Sequence, residues 1–269
     1  MTARLHQIVL GPLELLFEWR LTVFTLLLFP GLLYLGFWQL DRAEEKRELA
    51  LRNAQRQDMV ALSHRELFQL PAQTALPASE LTQLADRKVS VVGYLNPKDY
   101  VLIDNRINNG RFGYEVVALI ATEEGRVPVN FGWIAGDSAR RSVPEPNLSE
   151  GAIQLAGQIY IPTSAAYLLE SQAPPADFPA VVQDYDAASF APALSQRINE
   201  PVLPVLVRIA SEDPLAFSAN WAVINQSPEK HTGYAVQWFT MAAVLLLAFM
   251  IHSSNVLSLI RGVKARSQS

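Results

Sequence analysis

Cysteine is absent from the 269 residues, so neither a disulfide framework nor a thiolate metal site is available, and the fold must be held by its core. Histidine is scarce. Of the four, only His64 falls between the two long apolar runs, too few ligands for a histidine metal centre in that region. No glycine-rich phosphate loop, no G-x-S-x-G elbow and no H-E-x-x-H helix occurs, which removes the enzyme classes that depend on them and leaves no catalytic residue to name. The chain reads as a non-enzyme. Charge of one sign is also lacking: Lys and Arg number 22 against 26 Asp and Glu, and a net charge of -4 spread along the chain argues against nucleic acid as a partner.

What the chain has instead is two stretches without charge. Residues 21–40 (LTVFTLLLFPGLLYLGFWQL) contain no Asp, Glu, Lys or Arg. At the helical rise this run covers about 30 Å, the thickness of a hydrocarbon core. A second stretch, residues 231–260, is densest at WFTMAAVLLLAFMI and stops at Arg261. Soluble core helices seldom run so long without charge. Trp19, Tyr34, Trp38, Tyr234 and Trp238 stand near the ends of these runs, where amphipathic rings favour the headgroup level of a lipid bilayer. Pro30 and Gly31 fall mid-run, where a membrane helix tolerates them. The length of the first run, and the absence of a small-x-small site before Asp41, argue for a retained anchor over a cleaved signal peptide. Arg4 and Arg20, with Arg261, Lys264 and Arg266, place both tails (1–20 and 261–269) in the cytoplasm and the central region 41–230 in the periplasm. Arg42, Lys46, Arg47, Arg52 and Arg56 oppose this, but long domains translocate largely regardless of charge. The lack of an Arg/Ser-rich presequence favours a bacterial inner membrane.

Between the runs, residues 41–62 are rich in helix formers with Glu and Arg or Lys at i,i+3 and i,i+4, and read as the first helix continuing into solvent. A loop and short helix are expected over 71–85, with Ser79 as a cap. Strand-like runs follow within a β-rich region, 87–224: 88–94, 100–104, 114–121, 126–134 and 153–160, broken by Asn96-Pro97, Asn108-Asn109-Gly110, Glu124-Gly125 and Gly136-Asp137. An antiparallel sheet or small barrel is the expected result. Residues 163–196, with Pro174, Pro175, Pro179 and Pro192, read as a long surface loop leading to a helix near 190–198. Residues 202–209 and 221–224 supply final strands, with Pro204 placing the former at an edge or ending it early. The fold class is therefore an α+β membrane protein, with two transmembrane helices flanking one mainly antiparallel, barrel-like β domain.

Each histidine has a plain reading. His6 and His64 read as solvated side chains, and His252 as an interfacial or helix-contact residue. His231 differs in position, at the outer mouth of the second run in HTGYAVQW. On a helix, Tyr234 and Trp238 share its face. An imidazole beside two aromatic rings suits either a porphyrin iron or a ligand-free interfacial belt, and the residues alone leave both open.

Three motifs resemble those of the surfeit locus protein 1 family of cytochrome oxidase assembly factors. Gly36-Phe37-Trp38-Gln39-Leu40-Asp41-Arg42 with Lys46 is similar to the family's G-x-W-Q-x-x-R-x-x-x-K. Val91-Val92-Gly93-Tyr94, Asp104-Asn105-Arg106 and Gly110-Arg111-Phe112-Gly113-Tyr114-Glu115-Val116-Val117 follow its domain order, and His231 to Trp238 is similar to H-x-x-Y-A-x-x-W. Two positions depart: Phe131 stands where the family reads arginine in V-N-R-G-W, and Ala118 where proline is common. The resemblance implies a non-catalytic role in inserting haem a into subunit I of cytochrome c oxidase, with haem a synthase as a further partner. By the same match His231 is the haem-contacting, iron-binding histidine. Tyr234 and Trp238 flank it, and Trp38 and Gln39 face it from the first helix. Two other readings stand beside this one: a scaffold that binds the nascent subunit without touching haem, and a two-span sensor. The sensor is the weaker, because the tails are too short for an output domain.

Overall fold

The computed structural model describes residues 5–10, 13–70, 83–162, 174–221, 227–256 and 259. In chain order the described elements are β1 (Leu5–Leu10), β2 (Leu13–Glu18), α1 (Trp19–Asp58), β3 (Leu62–Ser63), α2 (His64–Gln69), β4 (Lys88–Leu95), β5 (Tyr100–Asn108), β6 (Arg111–Ala121), β7 (Arg126–Ala135), β8 (Gly151–Tyr160), β9 (Ala180–Val182), α3 (Ala187–Ile198), β10 (Leu206–Ile209) and α4 (Pro228–His252). They divide into two compact units, one of residues 1–51 with 224–269 and one of residues 52–223.

In the first unit, the segment read as a plain tail carries an antiparallel hairpin of β1 and β2, with Leu10 opposite Leu13. α1 is a single 40-residue helix that passes through Pro30 without a break. Only 17% of the most apolar window of α1 and 11% of that of α4 is buried inside the protein. Phe24, Leu26, Leu27 and Leu247 are each more than half exposed. A core helix of a soluble protein would hide such residues, so these two helices offer apolar surfaces of the kind that bilayer spans require.

The second unit is a closed barrel. Its strand order is β4-β8-β10-β7-β6, and β6 returns to β4 through the pair Tyr94 and Ala121. β5 and β9 extend the sheet beyond β6, and β3 extends it beyond β4. Residues 100–103 of β5 and 116–120 of β6 are apolar without interruption because both faces of these stretches are covered. Tyr100, Leu102, Val116, Ala118 and Ile120 point into the barrel with Phe131, Leu155 and Val207. Val101, Ile103 and Val117 meet Phe190 and Leu194 of α3 on the outside.

Several expectations are corrected. β10 begins at Leu206, two residues beyond Pro204, so the proline removes no ladder hydrogen bond and the strand sits centrally between β8 and β7 instead of at an edge. α3 starts at Ala187, three residues earlier than its sequence signal, because the Asp186 side chain accepts a hydrogen bond from the Ala188 amide and caps it. His64 is buried, not solvated. A capping box joining Ser63 and Glu66 starts α2 and turns His64 inward with Leu67 three residues on. There the Val92 amide donates to His64 Nδ1, and Nε2 lies 3.2 Å from Glu124. The expected cap Ser79, residues 163–173, and residues 222–224 of the last expected strand lie outside the described residues, as does the side chain of His6.

Tyr185 packs edge-on against Phe190, and its buried hydroxyl has no hydrogen-bond partner among the described residues. Burial pushes this phenol far above its usual range. A folded-state pKa above the unfolded one gives stability that is complete below about pH 10 and is lost as pH rises, at about 1.4 kcal/mol per pH unit for one group. Tyr185→Phe is therefore expected to reduce the alkaline slope by that amount between pH 10 and 11. At neutral pH it should raise stability by about 1 kcal/mol, since an unpartnered hydroxyl no longer has to be desolvated. Thermal unfolding followed by circular dichroism across this range checks both; an unchanged slope would contradict the burial.

Candidate functional site

α4 begins after Ser227 with Pro228 in its first turn, a position where the missing amide hydrogen is not needed. His231 follows within that turn. On α1, Leu32, Gly36, Gln39 and Ala43 recur at spacings of four, three and four and form one face; Leu32 and Ala43 on it are buried. On α4, Ala235 and Ala242 are buried in the same way. Small residues let the helices approach closely, as membrane helix pairs require. A Cβ on Gly36 would fall 2.5 Å from the Phe239 ring, and Phe37 meets the same ring edge-on at 5.2 Å. Arg47 reaches Thr232 Oγ1 at 3.3 Å from the next turns.

This close approach brings His231 and Gln39 together: Nδ1 and Oε1 are 2.8 Å apart. With the carboxamide oxygen facing the ring, Nδ1–H donates to it, and the lone pair of Nε2 is left free for a metal. Metal-binding histidines are commonly oriented by such an outer hydrogen bond. The half-exposed ring of Tyr234 lies one turn on, and that of Trp238, partly buried, two turns on. Trp38, adjacent to Gln39, is also largely exposed and carries the Arg42 guanidinium 5.9 Å from its ring centroid. Among the described residues, no hydrogen bond joins these three to His231; Tyr234 and Trp238 share its helix face by their spacing alone. Nor do the described residues contain a group of three or more His, Cys, Asp or Glu suited to a bare metal ion. What this geometry offers is one oriented imidazole among partly exposed aromatic rings, an arrangement able to meet a flat, apolar ligand carrying its own metal.

The model of the SURF1 family matches residues 26–243, which include most of both apolar helices and the whole barrel. The chain belongs to the SURF1 family. That family is associated with cytochrome c oxidase assembly, is membrane-associated and is not known as a catalytic one. No curated protein sequence matches the chain.

Both departures from the SURF1-family pattern lie in the barrel interior, where Phe131 and Ala118 are completely buried. One constellation escaped sequence reasoning. Arg106 and Glu115 stood inside the matching motifs, but nothing in the sequence connected them to Arg208, which β10 brings alongside.

Proposed function

We propose that this SURF1-family protein is a bacterial inner-membrane assembly factor, with both termini cytoplasmic and the barrel periplasmic, that holds haem a transiently and passes it to subunit I of cytochrome c oxidase. The observation that carries the reading is the 2.8 Å pairing of His231 with Gln39, which leaves Nε2 available to the haem iron. Tyr234, Trp238 and Trp38 offer ring surface to the macrocycle. A site at the level of the headgroups suits a carrier, since an enclosed pocket would release its cargo slowly. Catalysis has no part in this role; haem is cargo, and haem a synthase is its natural donor.

The test is the optical spectrum of protein purified in detergent from a host that makes haem a, compared with His231→Ala. A haem spectrum that the substitution removes supports the carrier. A parent protein that never carries haem favours the scaffold, which would bind the nascent subunit directly.

A further inference from the structure

We propose that a cleft on the barrel, built around Arg208, is a binding site for a carboxylate-bearing ligand. The cleft has a volume of about 340 Å³ and lies where three strand irregularities meet. β5 shifts register between Ile103 and Arg106, with Asn105 at φ 59°, and β6 shifts between Glu115 and Val117. In β7, Gly132 adopts φ 104° and lets the segment around Ser218 pair with Trp133. Bulges of this kind re-aim side chains next to binding sites.

The charges in the cleft are unevenly matched. Arg106 holds Asp184 at 2.7 Å and has Glu115 at 3.9 Å. Glu115 is also fixed by the buried Asn130, whose amide donates to it at 2.6 Å. Both carboxylates thus belong to Arg106. Among the described residues no carboxylate lies within ion-pair distance of Arg208, whose Nε is buried without a partner. Burial lowers its pKa, against the smaller opposing pull of Tyr160 and Glu115.

The Arg208 guanidinium lies against two rings, Tyr160 with its centroid 3.4 Å from Cζ and Trp221 at 4.8 Å. The N–H fork of a guanidinium matches a carboxylate. The indole N–H groups of Trp221 and Trp133 donate to the carbonyls of Ile209 and Arg106. They are therefore spent, and the indoles offer the cleft carbon surface for an apolar body.

A free small acid and the carboxyl terminus of a peptide share this chemistry. The test is titration calorimetry of the full-length protein in a non-ionic maltoside detergent, using benzoate, an acetylated Gly-Ala-Phe tripeptide acid and the same tripeptide amide. Saturable binding of an acid, absent for the amide, is expected, with a loss of about 10- to 100-fold in Arg208→Gln. Asn220→Ala, at the exposed rim of the cleft, should weaken binding a few-fold with an unchanged thermal transition, which covers the case of an unstable Arg208 variant. A tripeptide acid that binds at least tenfold tighter than benzoate identifies a chain terminus, and the reverse a small acid. Either supports the site. No saturable carboxylate binding, or equal binding by the amide, would overturn it.

Discussion

In His231→Ala protein, haem occupancy is expected to fall by more than about 100-fold, whereas Gln39→Ala should lower affinity by only about 10- to 100-fold, the range typical of an outer-sphere partner of a metal-bound histidine. The order follows from the proposed role: there His231 supplies the ligand atom, and Gln39 fixes its tautomer and ring direction through the 2.8 Å contact. Gln39→Glu separates orientation from simple packing. A carboxylate accepts from Nδ1–H more strongly than an amide oxygen, so the imidazole becomes a stronger donor to iron and the haem absorption bands shift while binding persists. Equilibrium titration with haem, read by absorbance, measures all three variants. If Gln39→Ala were as severe as His231→Ala, Gln39 would itself have to contact the haem. Neither variant should move the thermal transition of the barrel, because both residues lie outside residues 52–223.

The two spans were legible because a run of about twenty residues without charge matches the thickness of a bilayer and is rare in soluble cores. Four barrel strands, β4, β6, β7 and β8, and the adjoining β5 were legible because their apolar runs end at Asn, Gly and Asp turns. The barrel-like class was legible too, but the pairs that close it were not, because they join strands distant in sequence: β4 meets β6 through Tyr94 and Ala121, and a Cβ on Gly93 would stand 2.4 Å from the Ala121 carbonyl oxygen. The hairpin of β1 and β2 was missed because residues 5–10 and 13–18 lack alternation of polar and apolar side chains. His64 looked solvated because the neighbouring Arg65 and Glu66 are polar, and its burial is decided by the capping box and by Glu124 from a distant turn. The motif around His231 was visible as a pattern. Its pairing with Gln39, 192 residues away, rests on Gly36 and the alanines that let α1 and α4 approach.

Phe131→Ala is expected to destabilise the barrel by about 3 to 5 kcal/mol, the usual cost of deleting a buried aromatic ring that its neighbours cannot replace. Phe131 is wholly buried among Val116, Ala118, Val129 and Leu155, all apolar. Its carbonyl also accepts the Phe217 amide at 2.7 Å, which ties this strand to the segment forming one wall of the Arg208 cleft. At about 2 to 4 °C per kcal/mol for a unit of this size, the thermal transition should fall by roughly 6 to 20 °C. Phe131→Arg, which restores the residue that the related pattern carries, should be at least as costly here, because it would put a guanidinium among buried apolar side chains. A transition lowered by less than about 2 °C in Phe131→Ala would mean that the barrel interior is not filled by this ring. A tolerated arginine would mean that the strand can turn this side chain outward. Because Asn130 and Gly132 flank Phe131, and the Gly132 amide donates to Asn130 Oδ1 at 2.9 Å, any such turning should also release Glu115 and weaken carboxylate binding at Arg208.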